Sequence, residues 1–387
     1  MKTKVLFLSP WYPNRKDPMS GLFVQKHAEA VNVCCDVASL IVMPDENISA
    51  IEAETTEEKG FLEIQVYFPT FGNSFISKIK KQFYYLKAYK KGKQLLFDLW
   101  GKPDIIQANV FTRTALVAAY IKFKYHIPYV VIEHWTRYFR EKTFQNPIHK
   151  KLSILAAKYA NAVMPVTFHL QKNMERHGME NNNYRIINNV VDDVFFEKTT
   201  RPMTEKIRII NVTCFDDEQK NLSGLLEVIR SLYEKRKDFE IYLVGEGVDF
   251  EKIKELSISL DLYNKAVYFT GMLVGKELVD AYNQSRFSVL FSNYENIPVV
   301  ISESLACGLP VVSTDVGGIN EHINDRNGIL IEKNDKKALY EALDYMIEHY
   351  SDYDSNELTE AAKQKYSFWS VKNSLTNIYF SILNNDK

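Results

Sequence analysis

The stretch NYENIPVVISESLACGLPVVSTDVGG, residues 293–318, places a proline between two glutamates and ends on a pair of glycines. Proline is favoured at the first position of a helix, because the amide hydrogen that it lacks would have no partner there. We therefore expect Pro298 to open a short helix over Val299–Cys307, and a buried strand at Val311–Thr314 to follow it. The glycine pair 317–318 predicts a tight turn in which the backbone comes close to another group.

The two glutamates and the helix start suit an anionic ligand. Glu295 is expected just outside the positive end of the helix, and Glu303 about a turn and a half inside it. Backbone N–H groups at a helix start bind anions, and carboxylates accept hydrogen bonds from hydroxyl groups. A nucleoside diphosphate sugar, which carries hydroxyls on either side of its charge, fits this arrangement. The helix dipole alone also favours acidic residues near a helix start, so two ordinary surface glutamates are the alternative.

Composition indicates a globular protein, because 387 residues are enough for two domains, and 46% are apolar and 25% charged. Residues 1–195 contain 26 Lys and Arg against 18 Asp and Glu, whereas residues 196–387 contain 22 against 31. This asymmetry indicates two domains that face different partners. The opening segment MKTKVLFLSPWYP contains an apolar run of about five residues, which is too short for a signal peptide. No stretch approaches the roughly 20 apolar residues of a membrane span. We therefore expect a cytoplasmic protein.

Strand-like and helix-like runs alternate along nearly the whole chain, which is the pattern of α/β domains with parallel sheets. We predict two doubly wound, Rossmann-like domains, residues 1–197 and 205–387, joined through the polar segment Glu197–Lys206. Terminal helices over 355–385 can pack back on the first domain. Ligands of such sheets collect at the carboxyl ends of the strands. The strands predicted for the first domain are Lys4–Leu8, Val37–Val42, Leu62–Tyr67, Asp104–Ala108, Tyr129–Glu133, Ala162–Val166 and Arg185–Asn188.

Residues 293–318 resemble the signature of glycosyltransferase family 4, retaining sugar-nucleotide transferases with the GT-B architecture, in which two Rossmann-like domains face each other across a cleft. That signature is a glutamate, seven residues, a second glutamate, then Cys or Ala, Gly, any residue, Pro-Val-Val and a Gly-Gly turn. The resemblance implies that Glu303 holds the ribose hydroxyls and that Glu295 lies beside the donor sugar. It also implies that the backbone of Asn296, Ile297, Pro298, Val299 and Val300 binds the diphosphate and sugar hydroxyls. In such enzymes the first domain binds the acceptor and the second binds the nucleotide sugar, and the resemblance implies the same division here.

A lysine follows the first predicted strand of the second domain in VTCFDDEQKNLSGLLEV, residues 212–228. Family members have Gly-Arg-Leu there, then Lys-Gly or Lys-Asn, and the arginine and lysine clamp the diphosphate. Lys220 matches that lysine, although a surface lysine is the ordinary alternative, and we expect a helix to start near Asn221. Cys214 replaces the arginine. Losing one such charged side chain commonly costs about 3 kcal/mol of transition-state stabilisation. We therefore expect that another cation replaces the arginine, that the sugar nucleotide is held differently, or that turnover is slow.

Three further positions match the family less specifically. Gly21, in SPWYPNRKDPMSGLFVQKHAEAV, corresponds to a glycine-rich loop over the phosphates and acceptor. His134, at the end of IPYVVIEHW, corresponds to a histidine directed at the donor sugar, and is implied as catalytic together with Glu295 and Lys220. Gly245 corresponds to a turn under the nucleotide base. A helix-start glycine, a structural histidine and a simple strand-end turn are the alternatives, and we expect His27 on a helix surface.

No cofactor or metal is expected. Asp352–Asp354 has the spacing of the metal-binding aspartates of another glycosyltransferase architecture, but it reads as a solvated turn near the end of the chain. The turn at 245–247 has Phe250 where a dinucleotide fingerprint needs its third glycine, which argues against a nicotinamide cofactor. The four cysteines lack the spacing of metal ligands.

The stretch FISKIKKQFYYLKAYKKGKQLLF, residues 75–97, contains seven lysines and no acidic residue. Its apolar residues recur at helical spacing, which is typical of a helix that packs on a core. Lysines with interleaved tyrosines also suit an anionic membrane surface, where each contributes about 1 kcal/mol. We expect peripheral contact with the inner face of the cell membrane, and no nucleic-acid partner, because no readout motif accompanies the charge.

The resemblance implies a retaining glycosyltransferase that uses a UDP- or GDP-sugar. It would transfer the sugar to a hydroxyl of a glycan or lipid-linked glycan in bacterial surface polysaccharide synthesis. Two alternatives stay open: a sugar-nucleotide epimerase or hydrolase of the same architecture, and a non-catalytic glycan-binding assembly protein, which Cys214 favours.

Overall fold

The chain divides into two compact units. The first contains residues 1–166, 171–190 and 371–387, and the second contains 167–170 and 191–370. The computed structural model describes residues 2–72, 74–111, 113–139, 144, 146–197 and 205–385.

The segment 191–197, predicted as part of the first domain, belongs to the second unit. Val191 and Phe195 are buried in the core of that unit, and the backbone N–H of Val191 donates to the carbonyl of Tyr366 at 2.9 Å. Most of the predicted polar junction lies outside the described residues, so the junction itself stays a prediction.

The first unit is built on a mostly parallel sheet. Its strands are β1 (Lys4–Ser9), β2 (Asp36–Asp45), β3 (Glu52–Thr56), β4 (Leu62–Pro69), β5 (Ile105–Asn109), β6 (Tyr129–Glu133) and β7 (Ala162–Pro165). Among the described residues they are ordered β3-β4-β2-β1-β5-β6-β7, and β3 alone runs antiparallel, along the edge. Without β3 this is the 3-2-1-4-5-6 order of a doubly wound sheet, whose switch point lies between β1 and β5.

Helices connect these strands. They are α1 (Leu22–Asn32), α2 (Phe75–Leu99), α3 (Arg113–Tyr125) and α4 (Pro147–Tyr159), and a further helix, α5 (Phe168–Arg176), follows β7. The long helix α2 lies directly on the sheet at Gly92, where a β carbon would be 2.5 Å from Leu40 Cδ1 and 2.9 Å from Val66 Cγ2. Glycine therefore lets α2 approach β2 and β4 more closely than any other residue would allow.

The predicted strand at Arg185–Asn188 is wrong. Tyr184 makes an isolated bridge to Val163, and the next residues donate only alternate backbone N–H groups, from Arg185 to Val163 at 3.0 Å and from Ile187 to Pro165 at 3.2 Å. The chain therefore follows β7 in an extended path without completing a ladder.

The second unit contains a fully parallel sheet. Its strands are β8 (Ile207–Val212), β9 (Phe239–Val244), β10 (Val267–Gly271), β11 (Phe287–Leu290), β12 (Val311–Thr314) and β13 (Gly328–Ile331). Within the described chain their order is β10-β9-β8-β11-β12-β13, again 3-2-1-4-5-6, with the switch point between β8 and β11. The predicted class of two doubly wound α/β domains is confirmed.

Helices cover both faces of this second sheet. They are α7 (Leu222–Lys235), α8 (Phe250–Ser259), α9 (Gly275–Asn283), α10 (Val299–Ala306), α11 (Lys336–His349) and α12 (Ser355–Tyr366). The short helix α6 (Asp217–Lys220) has no buried residue and lies between β8 and α7, and a last helix, α13 (Phe368–Asn385), ends the described chain. Successive residues of a strand point to opposite faces, so Ile209 packs with α7 and α11 while Ile210 packs with α10 and α12. Over the described residues, no helix combines the length and the apolar character needed to cross a membrane.

Replacing Gly308 by alanine should destabilise the second unit far more than the same change at Gly275. Both glycines have positive φ, +69° and +54°, which costs an L-residue about 1–2 kcal/mol. A β carbon at Gly308 would also lie 2.2 Å from Ser355 Oγ and 2.6 Å from the Ser355 carbonyl oxygen, whereas nothing lies within 4 Å at Gly275. We expect Gly308→Ala to lower the free energy of unfolding in urea by about 2 kcal/mol more than Gly275→Ala. Equal losses would contradict this packing.

Candidate functional site

Two loops of the second unit meet at the switch point of its sheet. Because β8 and β11 pair in parallel, the loops that leave their carboxyl ends start side by side. The backbone N–H of Asn293 donates to the carbonyl of Gln219 at 2.7 Å, and its side-chain amide donates to the carbonyl of Glu218 at 2.9 Å. The segment before α10 is thereby fastened to α6.

An ion pair joins the same two loops. Lys220 Nζ lies 2.5 Å from Glu295 Oε1, and the two side chains are only 12% and 6% exposed. The other carboxylate oxygen of Glu295 accepts a longer hydrogen bond, 3.4 Å, from the side chain of Gln219. Removing one partner of a buried pair commonly costs 3–5 kcal/mol, because the other charge is left uncompensated. Lys220 and Glu295, both predicted site residues, therefore form one unit.

The helix expected near Asn221 is divided in two. Lys220 ends the short helix α6, and Asn221 takes the left-handed conformation, with φ of +51°, before α7 begins at Leu222. The side chain of Asp216 accepts the backbone N–H of Gln219 at 3.1 Å and so caps α6. This turn directs the lysine toward Glu295 instead of along the solvated face of α7.

The amino end of α10 is not capped by a side chain. Pro298 is the residue before the helix, with ψ of 125°, and α10 begins at Val299. The expectation that Pro298 occupies the first helical position is therefore wrong by one residue. Pro298 presents its carbonyl to Ile301 at 3.1 Å. The first backbone N–H groups of α10, at Val299 and Val300, lie at its positive end.

The glycine turn at 317–318 supports the backbone before α10. Gly317 has φ of +62°, and a β carbon there would lie 1.9 Å from the Glu295 carbonyl oxygen. The N–H of Gly318 donates to the carbonyl of Asn296 at 2.9 Å, and the side-chain oxygen of Asn296 accepts from Thr167 at 3.3 Å. The close approach that the glycine pair predicts is thus made to the protein's own backbone, which it holds in place.

Glu303 lies on the second turn of α10, beside Tyr282. The tyrosine hydroxyl donates to Glu303 Oε2 and to the Val300 carbonyl, both at 3.3 Å. Burial raises the pKa of Glu303 to about 7, although the Tyr282 hydrogen bond lowers it and the charge of Asp192 raises it further. The carboxyl group therefore exchanges its proton close to neutral pH.

Gly245 belongs to a turn that holds the loop after β8. A β carbon on Gly245, which has φ of +130°, would lie 1.9 Å from the Thr213 carbonyl oxygen, and the N–H of Phe215 donates to the Glu246 carbonyl at 3.0 Å. Between them Cys214 exposes a free thiol. A second cation, Lys252, lies close to this loop but pairs with Asp217 at 2.9 Å.

Gly21 and His134 lie in the first unit. Gly21 precedes α1 with φ of +62°, and a β carbon there would lie 2.3 Å from the Trp11 carbonyl carbon. The ring of His134 lies 4.4 Å from that of Phe23 and 6.0 Å from that of His27, centre to centre. The start of α1 and the end of β6 are therefore neighbours.

His27 is fully buried, so its expected place on a helix surface is wrong. Its Nε2 lies 3.1 Å from the Asn188 carbonyl oxygen, because the segment after β7 covers this face of α1. Burial lowers the pKa of His27 to about 4. Burial, and secondarily the charge of His27, also holds the pKa of His134 well below its usual range. Burial thus favours the neutral form of both imidazoles.

The structure assembles the predicted residues in two groups. Lys220, Glu295 and the backbone of 296–300 come together in the second unit, with Glu303 one turn further along α10. Gln219 and Tyr282 belong to that group, and no sequence pattern marks either of them, although Gln219 adjoins the lysine. Over the described residues, no group of three or more His, Cys, Asp or Glu side chains could hold a metal ion.

Two family descriptions match the sequence. Residues 193–365 match glycosyl transferases group 1, and residues 49–195 match Glycosyltransferase Family 4. An uncharacterised glycosyltransferase of Methanocaldococcus jannaschii is 24% identical over 270 residues, 69% of this chain and 72% of that protein. A GDP-mannose-dependent α-mannosyltransferase of Mycobacterium tuberculosis is 33% identical over 92 residues, 24% of this chain and 22% of that protein.

Solved structures show the same fold. Sucrose-phosphate synthase from Thermosynechococcus elongatus matches with a TM-score of 0.77 at 16% identity, over 99% of this chain and 100% of that one. The Anabaena protein HepE, in complex with UDP, matches with a TM-score of 0.74 at 16% identity, over 98% and 100% of the two chains. The fold is therefore that of GT-B glycosyltransferases. The chain belongs to the family 4, group 1 glycosyltransferases, and it is an enzyme of that kind.

The stability of the protein should fall as pH rises through the titration of Glu303. Since its pKa is about 7 in the folded protein against an ordinary 4.5, the native state binds more protons than the unfolded chain between these values. This contribution is fully present below about pH 4.5 and is lost by about pH 7, a change of up to about 3 kcal/mol. Urea unfolding across pH 5–8 measures it.

Glu303→Gln should remove this loss of stability with rising pH. Glu332→Gln, at an exposed position, is the control and should leave the loss as in wild type. If the free energy of unfolding falls equally steeply with pH in wild type and in Glu303→Gln, the assignment of the raised pKa to this carboxyl group is contradicted.

Proposed function

We propose that the protein is a retaining glycosyltransferase. It moves a sugar from a nucleoside diphosphate sugar to a hydroxyl of a glycan or lipid-linked glycan, in bacterial surface polysaccharide synthesis. The observation that carries this proposal is the buried pair of Lys220 and Glu295 beside the uncapped amino end of α10. A cation and free amide hydrogens there complement a diphosphate.

In this proposal the diphosphate binds at the first amides of α10. A helix dipole places about half a positive charge at that end, and Lys220 adds a full charge on the neighbouring loop. Glu303 accepts the ribose hydroxyls further along the helix. Since that contact needs the ionised carboxylate, donor binding would release a proton near neutral pH.

The hard step of the reaction is departure of the diphosphate as the glycosidic bond breaks. Positive charge that is already in place at the leaving oxygens lowers this barrier, because the protein need not rearrange as negative charge develops on the diphosphate. Lys220 would turn from Glu295 to the phosphate oxygens, and Glu295 would then face the sugar hydroxyls. Glu295 is assigned to positioning and not to nucleophilic attack, because a double displacement would need a carboxylate on the face of the sugar opposite the diphosphate, whereas the transfer proposed here takes place on the face that the diphosphate leaves.

Retention of configuration would then follow from transfer on the face that the diphosphate leaves. The departing diphosphate would help to accept the proton of the incoming hydroxyl. The neutral ring of His134 suits a hydrogen bond to a sugar hydroxyl. No metal enters the proposal; Lys220 and the helix amides would place the positive charge at the leaving group.

The donor would be a UDP- or GDP-sugar. HepE, a structural neighbour, has been solved with UDP and with UDP-glucose, which supports a uridine nucleotide. Because Cys214 stands where the family has arginine, Lys220 would carry a larger share of the diphosphate charge than in other members.

We also propose that the protein works at the inner face of the cell membrane. Helix α2 exposes large apolar side chains between its lysines, among them Phe75, Ile76 and Phe83 at 77%, 66% and 61%. Lysines attract anionic lipid headgroups, and apolar side chains enter the interface.

Replacing Lys220 by alanine should lower the rate of UDP or GDP release from the donor at least about tenfold, a loss of roughly 1.4 kcal/mol or more. The rate is measured with a panel of UDP- and GDP-sugars, after thermal shift has identified which of them the protein binds. Lys252→Ala is the matched control. Lys252 is an exposed lysine that pairs with Asp217, a residue of the short helix α6 that also contains Lys220.

Lys252→Ala should keep the wild-type rate. If Lys220→Ala is folded, as judged by circular dichroism, and releases nucleotide as fast as wild type, the lysine has no role at the leaving group. If no UDP- or GDP-sugar stabilises the protein, the transferase proposal fails.

A further inference from the structure

The first unit contains a cavity at the switch point of its own sheet. Its volume is about 570 Å³, within the usual range of small-molecule sites. Its wall includes Trp11 after β1, Arg113 at the start of α3, and Trp135 and Arg137 after β6. Ligands of doubly wound sheets bind at this position, beyond the carboxyl ends of the strands.

A groove of about 500 Å³ continues from this cavity between α2 and α3. The two spaces share Tyr85, Tyr89 and Arg113, so a ligand can extend from one into the other. Further along, the groove is lined by the apolar or aromatic side chains Leu86, Leu116, Val117 and Tyr120, and by the lysines Lys90, Lys93 and Lys124. The lining of α2 between residues 82 and 93 is about 16 Å long at 1.5 Å per residue.

The described walls of the cavity and groove carry no carboxylate. Three helices surround them, α2, α3 and α4. Among the described residues of these helices, the one acidic residue is Asp98, at the far end of α2. The pKa of His149, on the cavity wall, is lowered first by burial and then by the charges of Arg137 and Arg113. The site is thus strongly positive and suits an anion.

Flat aromatic surfaces lie beside these cations. The rings of Trp11 and Trp135 meet edge to face with centres 5.3 Å apart. The Arg137 guanidinium lies 4.5 Å from the Trp135 ring centre, and that of Arg113 lies 4.7 Å from the Tyr85 ring centre. Such surfaces provide apolar area for a sugar ring together with donors for its hydroxyls.

A polar atom at the junction lacks a partner in the protein. The buried hydroxyl of Tyr89 makes no hydrogen bond to any described residue, and this side chain lines both the cavity and the groove. Buried polar groups are nearly always hydrogen-bonded, and an exception indicates a ligand or a water. The hydroxyl is therefore available to a polar group of a ligand at this junction.

The walls are held in place before any ligand binds. The buried carboxylate of Glu133 accepts backbone N–H groups from Phe111, His134 and Trp135 at 2.8, 2.9 and 2.9 Å. Val110 has φ of +60°, a conformation that is strained for a β-branched residue and is typical of functional loops. The backbone at Trp135, and at Phe111 shortly before α3, is therefore fixed by internal bonds.

We propose that the cavity and the groove form one site for an acceptor in which a phosphate or diphosphate joins a sugar to a long apolar chain. The phosphate binds at Arg113 and the Tyr89 hydroxyl, the chain lies in the groove between α2 and α3, and the sugar packs against Trp11 and Trp135. The proposal rests on the transferase function, and it names the class of acceptor. A soluble glycan would leave the apolar groove without a purpose.

Binding of farnesyl diphosphate tests this site, with inorganic pyrophosphate and farnesol as separate arms. Binding is followed by tryptophan fluorescence, because Trp11 and Trp135 line the cavity. We expect farnesyl diphosphate to bind at least tenfold more tightly than either fragment. Arg113→Gln, and Leu86→Asp at an exposed wall position of the groove, should each weaken it about tenfold. Lys151→Gln, an exposed charge change on α4 outside the lining, should leave it unchanged.

Equal affinity for farnesyl diphosphate and pyrophosphate would overturn the role of the groove. Equal affinity for farnesyl diphosphate and farnesol, or wild-type affinity in Arg113→Gln, would overturn the phosphate site. UDP binding, measured in parallel by thermal shift, should be unchanged in Arg113→Gln. If the wild-type protein binds UDP but not farnesyl diphosphate, only the proposed acceptor class is contradicted. If the wild-type protein binds no nucleotide, the transferase function is contradicted.

Discussion

The ion pair between Lys220 and Glu295 connects two loops of the second unit that are 75 residues apart in sequence. Both side chains are nearly buried, so each depends on the other to compensate its charge, and separation without a replacement ligand would be costly. A ligand with its own negative charge can take the place of the carboxylate. The pair therefore holds the loop before α10 in position and keeps a cation available beside the uncapped helix end.

Parallel strand topology explains why these loops meet. In both units the order 3-2-1-4-5-6 places a switch point beside the first strand of the sheet, and the loops on either side of it diverge to leave a crevice. In the second unit that crevice holds Lys220 and the start of α10. In the first unit it holds the aromatic and basic cavity around Arg113. One topological rule thus positions both candidate ligand sites.

Much of the fold was predictable because the strands of parallel sheets are buried on both faces and read as continuous apolar runs. The segments at Leu6, Val131 and Val312 are of this kind, and all are fully buried or nearly so. The edge strand β3 was not predictable, because its sequence EAETT is polar and half exposed. The segment at Arg185–Asn188 has the composition of a strand, but pairing with β7 decides its conformation, and composition does not reveal pairing.

The site was predictable where local pattern determines geometry and not where distant segments meet. The motif from Glu295 to Glu303 places both glutamates around one helix start. In contrast, the burial of His27 depends on the segment near Asn188, and the glycine at 317 serves the Glu295 backbone. The cavity of the first unit joins Trp11 to Trp135, residues too far apart in sequence for any local pattern to relate them.

A crystal structure of the protein with UDP bound tests the central claim most directly. The account predicts a diphosphate oxygen within about 3.2 Å of Lys220 Nζ, with the Val299 or Val300 amide donating to the same group and the lysine turned away from Glu295. A diphosphate bound away from the amino end of α10, with the Lys220–Glu295 pair intact, would contradict it.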